Sequence, residues 1–199
     1  MFRRYELRAL VKTLIALLMV VNLAHAQNAA PNDSSFQPYE EIKEFEKSSM
    51  SHLNRRVFFF VHFTCPFCRQ THAPVLDWSA GIPHGYEFEV IPAVGIKDHI
   101  PMAIGYYTVM TLAPEKIEEY QTVLYRLIQD QGLSATSAST YVKAARLIGI
   151  DAAVFTKAAQ SSDVKTMVNR AYLLTEAYGL EEVPAVVLGN RFIAKPAAV

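Results

Sequence analysis

Two cysteines separated by two residues are the strongest candidates for chemistry in this sequence. Cys65 and Cys68 flank a Pro-Phe pair, and the 199-residue chain has no other cysteine. A disulfide between them would close a very short loop. Because the entropy that a disulfide removes from the unfolded chain grows with loop length, this bond would contribute far less than the ~3 kcal/mol expected for a 15-residue loop. We therefore expect the pair to serve disulfide exchange.

The cysteines lie where a predicted strand is followed by a predicted helix. Residues 57–63 are almost wholly apolar and aromatic, which is typical of a strand buried on both faces, and residues 66–78 have a helical pattern. Pro66 suits the first helical turn, because the N–H that it lacks would have no partner there. Cys65 would then be exposed at the helix N-terminus, where free N–H groups and the helix dipole favour a thiolate. We expect Cys65 to be the attacking sulfur and Cys68, turned toward the helix body, to be the resolving one.

Further strands and helices are predicted beyond this junction. A second strand and three helical segments are expected at residues 86–94, 117–128, 134–159 and 164–178. Two short apolar runs then follow, at 183–188 and 191–193, and Gly189 and Asn190 between them predict a β-hairpin with a tight turn. The order of strand, helix, strand, helical block and hairpin indicates an α/β fold.

The N-terminal residues have the three-part layout of a secretory signal peptide. Four basic residues precede the apolar run 14–21, and the small residues near Ala26 suggest cleavage after it. A bilayer span needs roughly 20 apolar residues, so an uncleaved anchor is the less favoured alternative. Removing residues 1–26 leaves 15 basic and 18 acidic residues, a net charge of −3, which predicts no nucleic-acid partner.

Two segments of the sequence resemble the DsbA family of thioredoxin-fold thiol oxidases. They are residues 58–68 (FFFVHFTCPFC) and 178–185 (YGLEEVPA), and the likeness covers most of the chain from about Tyr39 to Phe192. By this resemblance Val183–Pro184 would be a cis peptide bond packed against the cysteines, with the Val183 backbone free to pair with an extended substrate. Pro92, which precedes the helical block, is expected to be an edge or bulge proline instead.

The resemblance implies a thioredoxin fold with an inserted all-helical subdomain. It divides the chain into a signal peptide (1–26), an N-terminal arm (27–55), a first thioredoxin-like part (56–95), a helical insertion (96–170) and a second thioredoxin-like part (171–199). It also implies a periplasmic enzyme that introduces disulfides into reduced exported proteins and is reoxidised by a DsbB-like membrane quinone reductase. The Cys65-Cys68 disulfide would be its only redox group, with no bound cofactor.

Three features depart from the family pattern. Phe59 stands where many relatives carry a buried acid, so the proton of Cys68 needs another acceptor. His62 is the candidate for this proton relay, although a strand histidine with a hydrogen-bond partner is the simpler interpretation. Phe67 replaces the histidine that often precedes the second cysteine and cannot supply a positive charge. The sequence ends at Val199, soon after the hairpin, so the closing helix of the fold is expected to be missing.

Other functions remain as alternatives. His62, Cys65, Cys68 and His72 form an H-x2-C-x2-C-x3-H array that zinc or copper could use, although Pro66 is better explained by a redox site, and we predict no metal. Without a metal, His72 is expected to face solvent. A periplasmic disulfide reductase or isomerase is the nearest enzymatic alternative. A binding or chaperone-like protein with incidental cysteines is the non-enzymatic one.

Overall fold

A computed structural model describes residues 39–42, 50–95 and 100–195. The predicted signal peptide, most of the N-terminal arm and the end of the chain, where the closing helix is expected to be missing, lie outside the described residues. Within the described ranges, no helix is both long enough and apolar enough to cross a bilayer.

The described residues form one mixed sheet of five strands. The strands are β1 (Tyr39–Glu41), β2 (Arg56–Val61), β3 (Glu87–Pro92), β4 (Ala185–Leu188) and β5 (Phe192–Ala194). Their order across the sheet is β1-β5-β4-β2-β3, with β2 and β3 parallel and every other neighbouring pair antiparallel. Pro92 ends β3, an edge strand, in agreement with the prediction of an edge proline.

The central strand β2 leads directly to the two cysteines. It lies between β3 and β4, and its residues from Val57 to Val61 are all buried, as expected for a strand covered on both faces. Compared with the predicted span 57–63, the strand begins one residue earlier and ends two residues earlier. His62 and Phe63 leave the sheet because a turn begins there, in which the N–H of Cys65 donates to the carbonyl of His62 at 3.0 Å.

The described ranges contain six α-helices, and five of them lie between β3 and β4. They are α1 (Pro66–Ser79), α2 (Ile100–Leu112), α3 (Ile117–Tyr125), α4 (Ala138–Leu147), α5 (Ala152–Ala158) and α6 (Ser162–Ala177). Helix α2 packs against the other four helices of the insertion. Helix α3 continues into a five-residue π turn, Arg126–Asp130, which the sequence pattern did not predict.

The hairpin of β4 and β5 confirms the predicted tight turn. Gly189 and Asn190 both have a φ of 54°, and the N–H of Arg191 donates to the carbonyl of Leu188 at 3.0 Å. Positive φ at both central residues defines a type I′ turn, whose twist matches that of the paired strands.

Two borders of the predicted division of the chain do not coincide with its structural elements. Strand β1 lies in the segment predicted as an N-terminal arm, yet it pairs with β5 and so belongs to the sheet. The border between residues 170 and 171 falls inside helix α6, which runs unbroken from Ser162 to Ala177. Apart from these elements the division stays a prediction.

Candidate active site

Cys65 caps the N-terminus of helix α1. Its backbone is extended, with φ −84° and ψ 115°, and its Sγ accepts a hydrogen bond from the N–H of Cys68 at 3.3 Å. Pro66 occupies the first helical turn, as predicted. The sulfur therefore lies where the unpaired N–H groups of a helix converge, an arrangement that stabilises negative charge.

Cys68 lies beneath Cys65 and is fully buried. Both cysteines are free thiols in the structure, and the N–H of His62 donates to Sγ of Cys68 at 3.4 Å. Burial raises the pKa of the Cys68 thiol, the His62 N–H lowers it and the Cys65 thiol raises it. An attacking thiol from solvent can therefore reach Cys65, which is partly exposed, but not Cys68.

The segment before β4 faces Cys65 from the opposite side. The Val183–Pro184 peptide bond is cis, and the Cys65 thiol donates to the carbonyl of Val183 at 3.3 Å. A groove of about 290 Å³ opens here, lined by His62, Thr64, Cys65, Pro66, Glu181, Glu182 and Val183. Phe67 follows Pro66 and is half exposed, which leaves an aromatic ring on the helix beside Cys65.

His62 contacts the site in two ways. Its backbone reaches Cys68, whereas its buried ring places Nδ1 3.2 Å from the N–H of Thr64 and 2.6 Å from the Thr64 hydroxyl. Because Nδ1 accepts from a backbone N–H, a neutral ring carries its proton on Nε2. A hydrogen-bonded strand-end histidine is thus what the structure contains, and the relay role of His62 stays a prediction.

His72 is buried, so the prediction that it faces solvent is wrong. Its ring centroid lies 6.1 Å from that of Phe59 and 5.6 Å from that of Tyr125. Neither ring nitrogen has a hydrogen-bond partner among the described residues, and burial lowers the pKa of His72 to about 4. The cause is helical periodicity: His72 lies one turn after Cys68, so it points into the core with that sulfur.

Aromatic side chains occupy the region below Cys68, where the resemblance implied a buried acid at position 59. Phe59 is fully buried, and Phe63 packs edge-on against Tyr125 with ring centroids 5.1 Å apart. Burial raises the pKa of Tyr125 well above its usual value, and the two nearby cysteines raise it further. These three aromatic side chains are therefore uncharged at neutral pH.

The predicted H-x2-C-x2-C-x3-H array is not arranged as a metal site. Among the residues that the structure describes, no three His, Cys, Asp or Glu side chains are grouped to hold an ion. The ring of His72 instead packs against the Phe59 and Tyr125 rings, and Nδ1 of His62 is occupied by Thr64.

Sequence reasoning missed two contacts between the insertion and this site. Gln129, in the π turn, donates through Nε2 to the carbonyls of Phe63 and Cys65 at 2.9 and 3.1 Å. The neighbouring Asp130 forms a bidentate ion pair with Arg69 of α1 at 2.6 and 3.0 Å. No local sequence signal marks either contact, because each joins residues more than 60 positions apart.

The fold and the site together define a thioredoxin-fold protein with a paired-cysteine centre. A family model of the DSBA-like thioredoxin domain matches residues 85–197, more than half of the chain. The chain therefore belongs to this family, in agreement with the resemblance found in the sequence. Since the match begins beyond Cys68, the placement of the two cysteines rests on the geometry described above.

Curated relatives carry the name thiol:disulfide interchange protein DsbA. That of Bordetella parapertussis is 28% identical over 142 residues, which cover 69% of this chain and 64% of the relative. The chain thus matches less than two thirds of the length of this protein. The Burkholderia cepacia protein is 24% identical over 184 residues, which cover 92% of this chain and 85% of that one.

Solved structures share the fold. The structure of Pseudomonas aeruginosa DsbA matches with a TM-score of 0.66 at 16% identity, covering 82% of this chain and 85% of that one. The structure of DsbA from Xylella fastidiosa has the same TM-score and identity, with 80% and 86% covered. These likenesses confirm the predicted α/β thioredoxin fold with its helical insertion.

Proposed function

We propose that this protein is an exported thiol-disulfide oxidoreductase that introduces disulfides into reduced proteins through the Cys65-Cys68 pair. The observation that carries this proposal is the position of the Cys65 sulfur. It lies at the N-terminus of α1, accepts the N–H of Cys68 and faces the carbonyl of Val183 across an open groove. The family to which the chain belongs supports disulfide exchange as the reaction class.

The exchange begins with Cys65 and Cys68 joined as a disulfide. A substrate thiolate attacks the exposed sulfur of Cys65, and Cys68 leaves as a thiolate that takes up a proton, because its buried site disfavours negative charge. A second substrate thiolate then attacks the substrate sulfur of the mixed disulfide, and Cys65 leaves. The substrate loses two electrons and two protons, and the cysteine pair becomes the dithiol.

Substrate binding would use the backbone beside the cysteines. Val183 precedes strand β4, and its carbonyl already points at Cys65. An extended peptide that pairs with this backbone would carry its own cysteine to the attacking sulfur. Recognition of main-chain atoms tolerates many sequences, which suits an enzyme that acts on unfolded proteins of different kinds.

The setting of this activity is part of the same proposal. A leader with the features of a signal peptide would deliver the protein to the periplasm, where disulfides persist. Each turnover leaves the dithiol, so a membrane partner such as a DsbB-like quinone reductase would be needed to reoxidise it. We propose no bound cofactor and no nucleic-acid partner.

Equilibration of the cysteine pair with glutathione tests the direction of exchange. We expect a potential less negative than about −180 mV, because the Cys65 sulfur lies at a helix N-terminus, a position that favours an anionic sulfur and so the reduced form of the pair. The fraction of disulfide is measured by alkylation and mass analysis across buffers of known ratio. A value near about −270 mV, typical of thioredoxin, would instead support the reductase alternative.

A further inference from the structure

The π turn after helix α3 brings one amide to the back of the active-site turn. In this turn the N–H of Gln131 donates to the carbonyl of Arg126, five residues earlier, at 3.1 Å. A π turn has hydrogen bonds between residues five apart, one residue more than in an α-helix, and such turns often occur at functional sites. Here its fourth residue is Gln129, which is half buried and faces the segment between β2 and α1.

The Gln129 amide bridges two carbonyls on either side of Thr64. Its Nε2 lies 2.9 Å from the oxygen of Phe63 and 3.1 Å from that of Cys65. Both partners can only accept, so the nitrogen and not the oxygen of the amide must face them. One NH₂ group thus joins Phe63, two residues after the end of β2, to Cys65, which caps α1.

The position of the Cys65 sulfur depends on this turn. Its Sγ lies 3.3 Å from the nitrogen of Cys68 and 3.3 Å from the carbonyl oxygen of Val183. The Cys65 carbonyl also accepts the first helical N–H, from Arg69, at 3.3 Å. A second donor on the same carbonyl limits rotation of the Cys65 peptide, and therefore of the side chain that the peptide carries.

We propose that Gln129 is a positioning residue that holds Cys65 in the orientation in which its thiolate accepts the Cys68 N–H. Its role rests on the proposed function, because orientation of a sulfur matters only if the sulfur reacts. Loss of the amide would weaken the hydrogen bond from the Cys68 N–H to the Cys65 sulfur in the dithiol form. The disulfide form would not be weakened in this way, because the S–S bond fixes both sulfurs. The redox equilibrium should therefore shift toward the disulfide.

The test compares Gln129→Ala, Gln129→Glu and Gln131→Glu in the full chain. We expect Gln129→Ala to reduce the oxidising equilibrium constant against glutathione about fivefold, roughly the value of one hydrogen bond, and to slow Cys65 alkylation at pH 7. Gln129→Glu should lower both the equilibrium constant and the alkylation rate further, because a carboxylate then faces two carbonyl oxygens. Gln131 is exposed and lies two residues further along the chain, so Gln131→Glu controls for the added charge and should change the equilibrium constant less than twofold.

Each result separates the positioning role from the proposed function. A wild-type protein that exchanges no disulfide with glutathione contradicts the function itself. A wild-type protein that exchanges normally, with Gln129→Ala unchanged or with Gln129→Glu no different from Gln131→Glu, contradicts only the role of Gln129. Thermal unfolding of each variant identifies a misfolded one. A purely structural role would lower the unfolding temperature while leaving the redox constant of the folded protein unchanged, which also overturns the proposal.

Discussion

Replacing Cys65 with Ser is expected to lower the rate of dithiol oxidation by about 10³-fold or more, because the only accessible sulfur of the pair is lost. Cys68 remains but is fully buried, so a substrate thiol cannot reach it. The measurement is the oxidation of a peptide that contains two cysteines, with glutathione disulfide as the oxidant and a catalytic amount of the wild-type or variant protein.

Cys68→Ser is the matched control for this loss. It removes the resolving sulfur and keeps Cys65. With a peptide that contains one cysteine, supplied as its mixed disulfide with glutathione, Cys65 should attack the peptide sulfur and glutathione should leave. The adduct should persist, because neither the protein nor the peptide has a second thiol to resolve it. Mass analysis after acid quenching would find this adduct in Cys68→Ser and not in Cys65→Ser. If the adduct formed on Cys68 in the Cys65→Ser protein, the assignment of the two sulfurs would be reversed.

The second large effect concerns the stability of the protein at low pH. Burial lowers the pKa of His72 from 6.5 to about 4, so between these values the unfolded chain binds a proton that the folded protein does not. The free energy of unfolding therefore falls as the pH falls from 6.5 to 4. At 1.36 kcal/mol per pKa unit, the loss attributable to His72 reaches about 3 kcal/mol.

His72→Phe should remove this part of the pH dependence. A phenyl ring is similar in size and suits the contacts with the Phe59 and Tyr125 rings, and it cannot be protonated. Urea unfolding at pH 7 and pH 4.5 gives the difference for each protein. His84→Gln is the control, because His84 is exposed. If wild type and His72→Phe lost equal stability between these pH values, the account of His72 would be wrong.

The burial of His72 could have been predicted from helical spacing. The spacing of the two cysteines at a helix start predicts that Cys68 turns toward the helix body, and His72 lies four residues later on the same face. The same spacing that suggested a shared metal site also predicts a shared burial. The position of His72 on the helix therefore decides its burial.

The elements closest to the cysteines were predictable because their signals are local. The apolar run of β2, the proline after Cys65 and the Gly189-Asn190 turn each constrain the backbone within a few residues. Such signals gave the strand, the helix and the hairpin nearly residue by residue. The resemblance to a known family then placed Val183 and Pro184 beside Cys65, across 118 positions of sequence.

The support of the site by the insertion could not be predicted in this way. The apolar spacing of α3 is that of an ordinary helix, and the π turn that follows it changes which side chains face the cysteines. Gln129 is one polar residue in a polar stretch, and its two acceptors are main-chain atoms that have no sequence signature. The contact of Gln129 with the two carbonyls depends on how the insertion packs against the active-site turn, which only the structure shows.

The central claim is that the N-terminus of α1 activates the accessible sulfur of Cys65 above the buried Cys68. Alkylation of the reduced protein at pH 7 tests this claim most directly. Iodoacetamide should modify Cys65 faster than it modifies the thiol of an unstructured peptide, and Cys68 should react only after denaturation. Cys65 reacting no faster than the peptide thiol, or Cys68 reacting first in the folded protein, would contradict the account.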